Sequence, residues 1–245
     1  MHRFRVTELG DNVFWLRGGE REHLVRVLRL APGDKVIGFD NSGREWLAAI
    51  QRIEEKSVTC RILAEREPNV EPETQVYLVA GLAKGDKLEW VIQKGTELGM
   101  YGFVPLRAKR SVVRLEGNKA AERVERWQKI AGEAAKQSRR VREPLIREVA
   151  DWQDLSLVLP PTTQWLIPYE EEKSQGLSQT LASLDRTRPI AILVGPEGGF
   201  DPSEVEFATA NLKARSVSLG PRILRAETAA LAALTITLAH WGDLG

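Results

Sequence analysis

Residues Ile190–Val194 form an unbroken apolar run that ends in Gly195-Pro196-Glu197-Gly198-Gly199. Further along, Ser216–Leu219 runs into Gly220-Pro221 in the same way. A short run that is apolar throughout suits a strand covered on both faces, as in the parallel sheets of α/β proteins. Each run ends in a glycine-proline turn, and each turn leads into a helical pattern. Two such strand ends can lie side by side and offer backbone amides to one ligand, because ligands of α/β folds bind beyond the carboxyl ends of strands.

The rest of the C-terminal region continues the alternation. Strands are expected at Val76–Ala80, Phe103–Leu106 and Trp165–Ile167. Helices are expected at Lys87–Leu98 with Gly99 as its stop, at Ala120–Arg140, at Gly176–Leu184 and at Ala226–Trp241. In Ala120–Arg140 an apolar stripe runs through Val124, Trp127, Ile130, Ala131, Ala134 and Ala135. Asp201-Pro202-Ser203-Glu204 reads as a helix start, with a cap, a proline at the first position and a glutamate at the third. Strands alternating with helices imply an α/β layered domain with a mostly parallel sheet, over residues 75–245. Before it, Lys35–Phe39, Trp46–Ile50 and Ser57–Leu63 are short β-rich runs, and Asp40-Asn41-Ser42-Gly43 is a hairpin turn. A short helix at Arg21–Leu30 precedes them. Residues 1–70 therefore read as a small β-barrel-like unit, and Pro68-Asn69-Val70-Glu71-Pro72 as a linker.

Charge adds a bias but no class. The formal net charge is only +1. Yet Arg107–Arg147 holds 13 Lys/Arg against 5 Asp/Glu, while Glu148 to the end holds 7 against 13. A basic centre beside an acidic tail fits a face that meets a polyanion, and equally a solvated Arg-rich helix. The single cysteine, Cys60, allows no internal disulfide and fits a reducing, cytoplasmic setting. His2, His23 and His240 are far apart, so no metal is expected. Met1–Val6 lacks a signal-peptide core, and the apolar run Ala229–Ala239 is too short for a membrane span.

Two loops carry the chemical signal. Gly195–Gly199 lacks the Gly-Lys-Ser/Thr ending of a triphosphate loop and the glycine spacing of a dinucleotide fold. A purely architectural turn would account for its glycines, but not for Glu197. In Leu219–Arg225, Arg222 and Arg225 flank an apolar pair and suit a phosphate or a developing anion. Glu227 falls in the first turn of the following helix, where it can answer the helix dipole or pair with an arginine. The polar residues of Lys84–Glu89 and Gln93-Lys94, and His23, Arg26 and Arg29, fit a solvated surface as readily as a site.

Taken together, Lys84–Glu89, Gln93-Lys94, Glu97–Gly99, Trp127–Ala131, the Gly195–Gly199 turn, Leu219–Leu231 and Trp241–Gly245 resemble the bacterial 16S ribosomal RNA uracil-N3 methyltransferases, the RsmE family of the SPOUT superfamily. His23–Arg29 fits as well. The resemblance implies a PUA-like RNA-binding β-barrel followed by a SPOUT α/β domain with a C-terminal trefoil knot. It implies a homodimer, S-adenosylmethionine as cofactor, and a uridine in the decoding region of the small ribosomal subunit as substrate. By motif, the cofactor loops are Pro168, then Leu193, Gly195, Pro196, Glu197, Gly198 and Gly199, then Leu219, Gly220, Ile223 and Leu224. Arg225 becomes the first choice to stabilise a uracil anion, with Glu227 orienting it or shuttling the proton and Arg222 as second choice. RNA contacts are expected from His23, Arg26, Arg29, Lys84, Lys94, Arg139, Arg140 and Arg142. Two rivals stay open: a ribosome-assembly factor that binds RNA without catalysis, and a methyltransferase of another RNA such as tRNA.

Overall fold

The computed structural model describes all 245 residues. The chain forms two units, Met1–Glu71 with Ala135–Glu143 and Pro72–Ala134 with Pro144–Gly245. The linker at Pro68–Pro72 marks one crossing between them. The excursion of 135–143 has no comparable mark in the sequence.

The first unit is a six-stranded sheet with a helical insertion. Strands β1 (Arg3–Arg5), β2 (Glu8–Leu9), β3 (Val13–Arg17), β4 (Lys35–Phe39), β5 (Glu45–Ile53) and β6 (Ser57–Arg66) lie in the order β1-β4-β5-β6-β3-β2. The β4–β5 hairpin turns as expected, with Asn41 at φ 71° and Asp40 Oδ1 accepting from the Ser42 N–H at 2.9 Å. Alternate residues Phe14 and Leu16, Trp46, Ala48 and Ile50, and Val58 and Cys60 fill one core. The helix expected over Arg21–Leu30 is α1 (Gly18–Glu22), continued by a π-helical turn at His23–Val27.

The second unit is a sheet of six parallel strands. These are β7 (Val76–Gly81), β8 (Gly102–Leu106), β9 (Leu145–Ile146), β10 (Gln164–Pro168), β11 (Ile190–Val194) and β12 (Arg215–Val217), in the order β12-β10-β11-β7-β8-β9. Period-two alternation in buried strands splits the core in two. Val76, Leu78, Ile190, Ile192 and Val194 face α2 (Lys87–Leu98), α3 (Gly117–Gln137), α5 (Leu177–Leu181) and α7 (Ala226–His240). Tyr77, Val79, Ala191 and Leu193 face the other way, toward Leu155 of the short α4 (Leu155–Val158) and Ala208 of α6 (Pro202–Asn211).

Two local features follow from the residues that form them. Asp201 caps α6 in a full capping box with Glu204, whose buried carboxylate also accepts from Trp152 Nε1 and the Lys109 N–H, both at 2.8 Å. Helix α3 stops at Gln137, short of the expected Arg140. Arg139 takes a left-handed φ of 62°, and the Arg140 N–H bonds back to the Ala135 carbonyl at 2.9 Å, closing the helix without a glycine.

Strand order decides where a ligand can sit. β10 lies between β11 and β12, so the chain leaves β11, makes α6 and returns on the far side of β10. The carboxyl ends of three parallel strands thus stand side by side.

Candidate functional site

Those three strand ends open into a cleft of about 520 Å³. Its walls are Pro168 at the end of β10 with Tyr169-Glu170 after it, the Gly195–Gly199 turn after β11, Ser218–Leu224 after β12, and the first turn of α7. The loops are pinned by their backbones. A Cβ on Gly195 would stand 2.8 Å from the Gly199 carbonyl carbon, so the turn can close only on glycine. The Ser218 N–H donates to the Gln175 carbonyl at 2.7 Å, and the Tyr169 N–H to the Val217 carbonyl at 3.1 Å. Arg110 donates to the Gly198 carbonyl at 3.0 Å, from the loop after β8.

Glu197 ties this turn to the start of α2. Its Oε1 accepts from the Lys84 N–H at 3.2 Å and pairs with Lys87 Nζ at 3.1 Å. Burial alone would raise its pKa. The backbone N–H of Glu197 itself, Lys87 and the Lys84 N–H outweigh that and hold the carboxyl below the usual glutamate value.

The charged groups at the cleft differ in how they are engaged. Arg222 and Arg225 are exposed, and neither makes an ion pair within the chain. Between them Ile223 is 89% exposed. Arg225 occupies the N-cap of α7 with an extended backbone, so the positive end of that helix faces the cleft. Glu227, in the first turn of α7, is half-buried, and its Oε2 has no donor in the protein. The pairing of Glu227 with an arginine that the sequence allowed does not form.

Of the residues the sequence put at a cofactor, Pro168, Gly195, Pro196, Glu197, Gly198, Gly199, Leu219, Gly220, Ile223 and Leu224 all line this one cleft, as do Arg222, Arg225 and Glu227. Leu193 does not. Its side chain is fully buried in the α6-side core, because the strand's alternation turns it away. Lys87, Tyr169, Glu170, Val194, Ser218, Pro221, Ala226 and Ala229 also line the cleft. Most of them adjoin a motif. Lys87 comes from a distant helix and carries no local signal of its role.

The residues expected at RNA are scattered in state. Arg139 and Arg142 are exposed in the first unit, and Lys84 is exposed in the second. Arg26 pairs with Glu22, and Lys94 with Glu97. His23 is half-buried with its ring edge-on to Phe4, and Arg29 takes a left-handed φ of 54°. Arg140 departs from its expected role. It is 5% exposed and bound by Glu71, so its charge is spent inside the protein. No three His, Cys, Asp or Glu side chains gather where a metal ion could be held. No helix is long and apolar enough to cross a membrane.

Comparison with known proteins agrees with this geometry. Residues 70–238 match the RNA methyltransferase domain family, and residues 16–63 the RNA methyltransferase PUA domain family. The chain is 41% identical to ribosomal RNA small subunit methyltransferase E of Bacillus subtilis over 226 residues, 91% of this chain and 88% of the relative. It is 34% identical to the Synechocystis protein of that name, over 89% of this chain and 70% of the relative. A crystal structure of ribosomal RNA small subunit methyltransferase E from Neisseria gonorrhoeae, bound to S-adenosyl methionine, superposes with a TM-score of 0.87 at 29% identity, covering 100% of both chains.

Proposed function

The chain belongs to the ribosomal RNA small subunit methyltransferase E family, and on that premise we propose that it transfers a methyl group from S-adenosylmethionine to N3 of a uridine in the decoding region of 16S ribosomal RNA. One observation carries this reading: the loops after β10, β11 and β12 and the first turn of α7 line a single cleft.

The residues present fit that cofactor. A cleft of about 520 Å³ lies within the range of roughly 300–1,000 Å³ usual for small-molecule sites. Pro168, Pro196, Leu219, Ile223 and Leu224 offer apolar surface for a purine, while charges of both signs at the rim suit a zwitterionic tail. Pro168, the Gly195–Gly199 turn and Leu219–Leu224 would hold it. When bound, S-adenosylmethionine supplies a methyl carbon made electrophilic by its sulfonium.

The protein's own task is position and charge. A uracil N3 that keeps its proton is a poor nucleophile, and the anion left by that proton spreads onto O2 and O4. Arg225, exposed at the cleft and engaged in no ion pair, supplies the positive charge that stabilises it, with Arg222 of the same cleft as second choice. Arg139, Arg142 and Lys84 meet RNA phosphates, which set register but not sequence. The same reading makes the protein a cytoplasmic homodimer whose C-terminal segment is threaded as a trefoil knot, and its substrate the small-subunit RNA or particle.

Titration calorimetry with S-adenosylmethionine tests this reading. One site per chain is expected, weakened strongly in Gly195→Val, whose side chain cannot fit beside Gly199. A wild-type protein that evolves no heat with this ligand refutes the reading and leaves an RNA-binding assembly factor.

A further inference from the structure

Three carboxylates line the cleft, and their surroundings separate them. Glu197 is committed to Lys84 and Lys87 and is held in its ionised form. Glu170 stands exposed. Glu227 alone has an oxygen that is both buried and without a protein donor. Folded proteins rarely leave a buried polar atom unmatched, and each such atom calls for an explanation.

The surroundings of Glu227 narrow what can meet that oxygen. It also borders a niche of about 10 Å³ walled by Ala80, Leu88, Val91, Val194 and Ala230. That space admits nothing larger than a water. The one cation in its wall, Lys87, is paired with Glu197 at 3.1 Å. Any group larger than a water that meets this carboxylate therefore enters from the main cleft, which Glu227 also lines.

We infer that Glu227 accepts the N3–H of the target uracil and takes its proton, an assignment that rests on the methyltransferase reading above. The stoichiometry of donors supports the imide over the ammonium of the methyl donor. An imide brings one N–H to the one acceptor left without a donor, whereas an ammonium brings three. In the step, the N3–H bond breaks and an O–H bond forms on Glu227. The nitrogen pair so released forms the new N–C bond, and the electrons of the broken C–S bond remain on sulfur. Arg225 stabilises the charge that collects on the imide oxygens meanwhile.

Glu227→Gln keeps the shape and removes the base. Calorimetry with S-adenosylmethionine should give an affinity within about threefold of wild type, which also reports that the cleft is folded. Single-turnover methylation near neutral pH should fall by about 10²–10⁴, the usual worth of a general base. The deficit should then shrink about tenfold per pH unit toward the imide's own ionisation, since hydroxide replaces the missing base. Glu227→Asp should recover part of the rate. A deficit that is constant with pH overturns the inference, as does an affinity for S-adenosylmethionine that falls as far as turnover does. Failure of the wild type to bind S-adenosylmethionine would instead remove the methyltransferase reading beneath it.

Discussion

Arg140 and Glu71 form a two-point ion pair, with Nη2 at 2.6 Å and Nε at 3.1 Å from Oε2, and their side chains are only 6% and 16% exposed. The other carboxylate oxygen accepts the backbone N–H of Val141 at 3.0 Å and of Arg142 at 3.1 Å. One glutamate thus holds the whole 140–142 segment. Removing one partner of a buried pair strands the other's charge. Glu71→Ala should therefore cost about 3–5 kcal/mol, read from denaturant or thermal unfolding. A loss below about 1 kcal/mol would show the pair to be solvated like a surface bridge.

The same observation sorts the arginines that follow α3. Arg139→Ala and Arg142→Ala should each weaken binding to small-subunit RNA by a similar factor for any sequence. Each should also reduce the slope of log affinity against log salt by about one. Arg140→Ala should instead lower the melting temperature. Salt-independent binding by the wild type would contradict a phosphate role for either exposed arginine.

Glu197 makes the cleft sensitive to acid. Burial opposes its ionisation, but the turn's own N–H, Lys87 and the Lys84 N–H prevail and depress its pKa. For a carboxyl depressed on folding, the stabilisation is full above the unfolded value and is lost as pH falls through the lower, folded one. The tether between the Gly195–Gly199 turn and α2 should therefore hold at neutral pH and fail only below the usual carboxylate range. S-adenosylmethionine affinity, followed by calorimetry down a pH series, should fall there in the wild type. In Glu197→Gln it should be weaker throughout and flatter with pH. An equal fall in both proteins would assign the acid sensitivity to another group.

Cys60 is fully buried in the first unit's core, and burial pushes its thiol up to about 12. Thiolate is the reactive form, so thiol reagents at mildly alkaline pH should not label the folded protein and should label it once denatured. Because the folded value is the higher one, the thiol's contribution to stability is full below the ordinary thiol value and declines above it. Rapid labelling of native protein would show that the first unit opens easily.

Legibility followed the range of the interactions. The Gly195–Gly199 and Gly220-Pro221 turns, the hairpin at Asp40–Gly43 and the cap at Asp201 are set by neighbours within a few residues, and each was readable. The Leu193 side chain turns into the α6-side core, and an all-apolar run gives no clue to which face a residue takes; only the packed sheet settles that. Arg140 looked like a helix-end cation because its partner lies 69 residues earlier in the chain. Lys87 reached the cleft by way of the sheet order, which no local pattern encodes. Strands β1 and β2 span three and two residues, too short to show alternation.

The most direct test of the central claim is the 3-methyluridine content of 16S ribosomal RNA, measured by mass spectrometry of nuclease fragments from cells with and without this gene. Deletion should remove one methyl from a decoding-region uridine. The wild-type gene should restore it, and Arg225→Ala should leave it about 10²–10³-fold slower to form in a purified reaction while still binding S-adenosylmethionine. Full retention of that methyl in the deletion strain, or turnover by Arg225→Ala within a few-fold of wild type, would contradict the account.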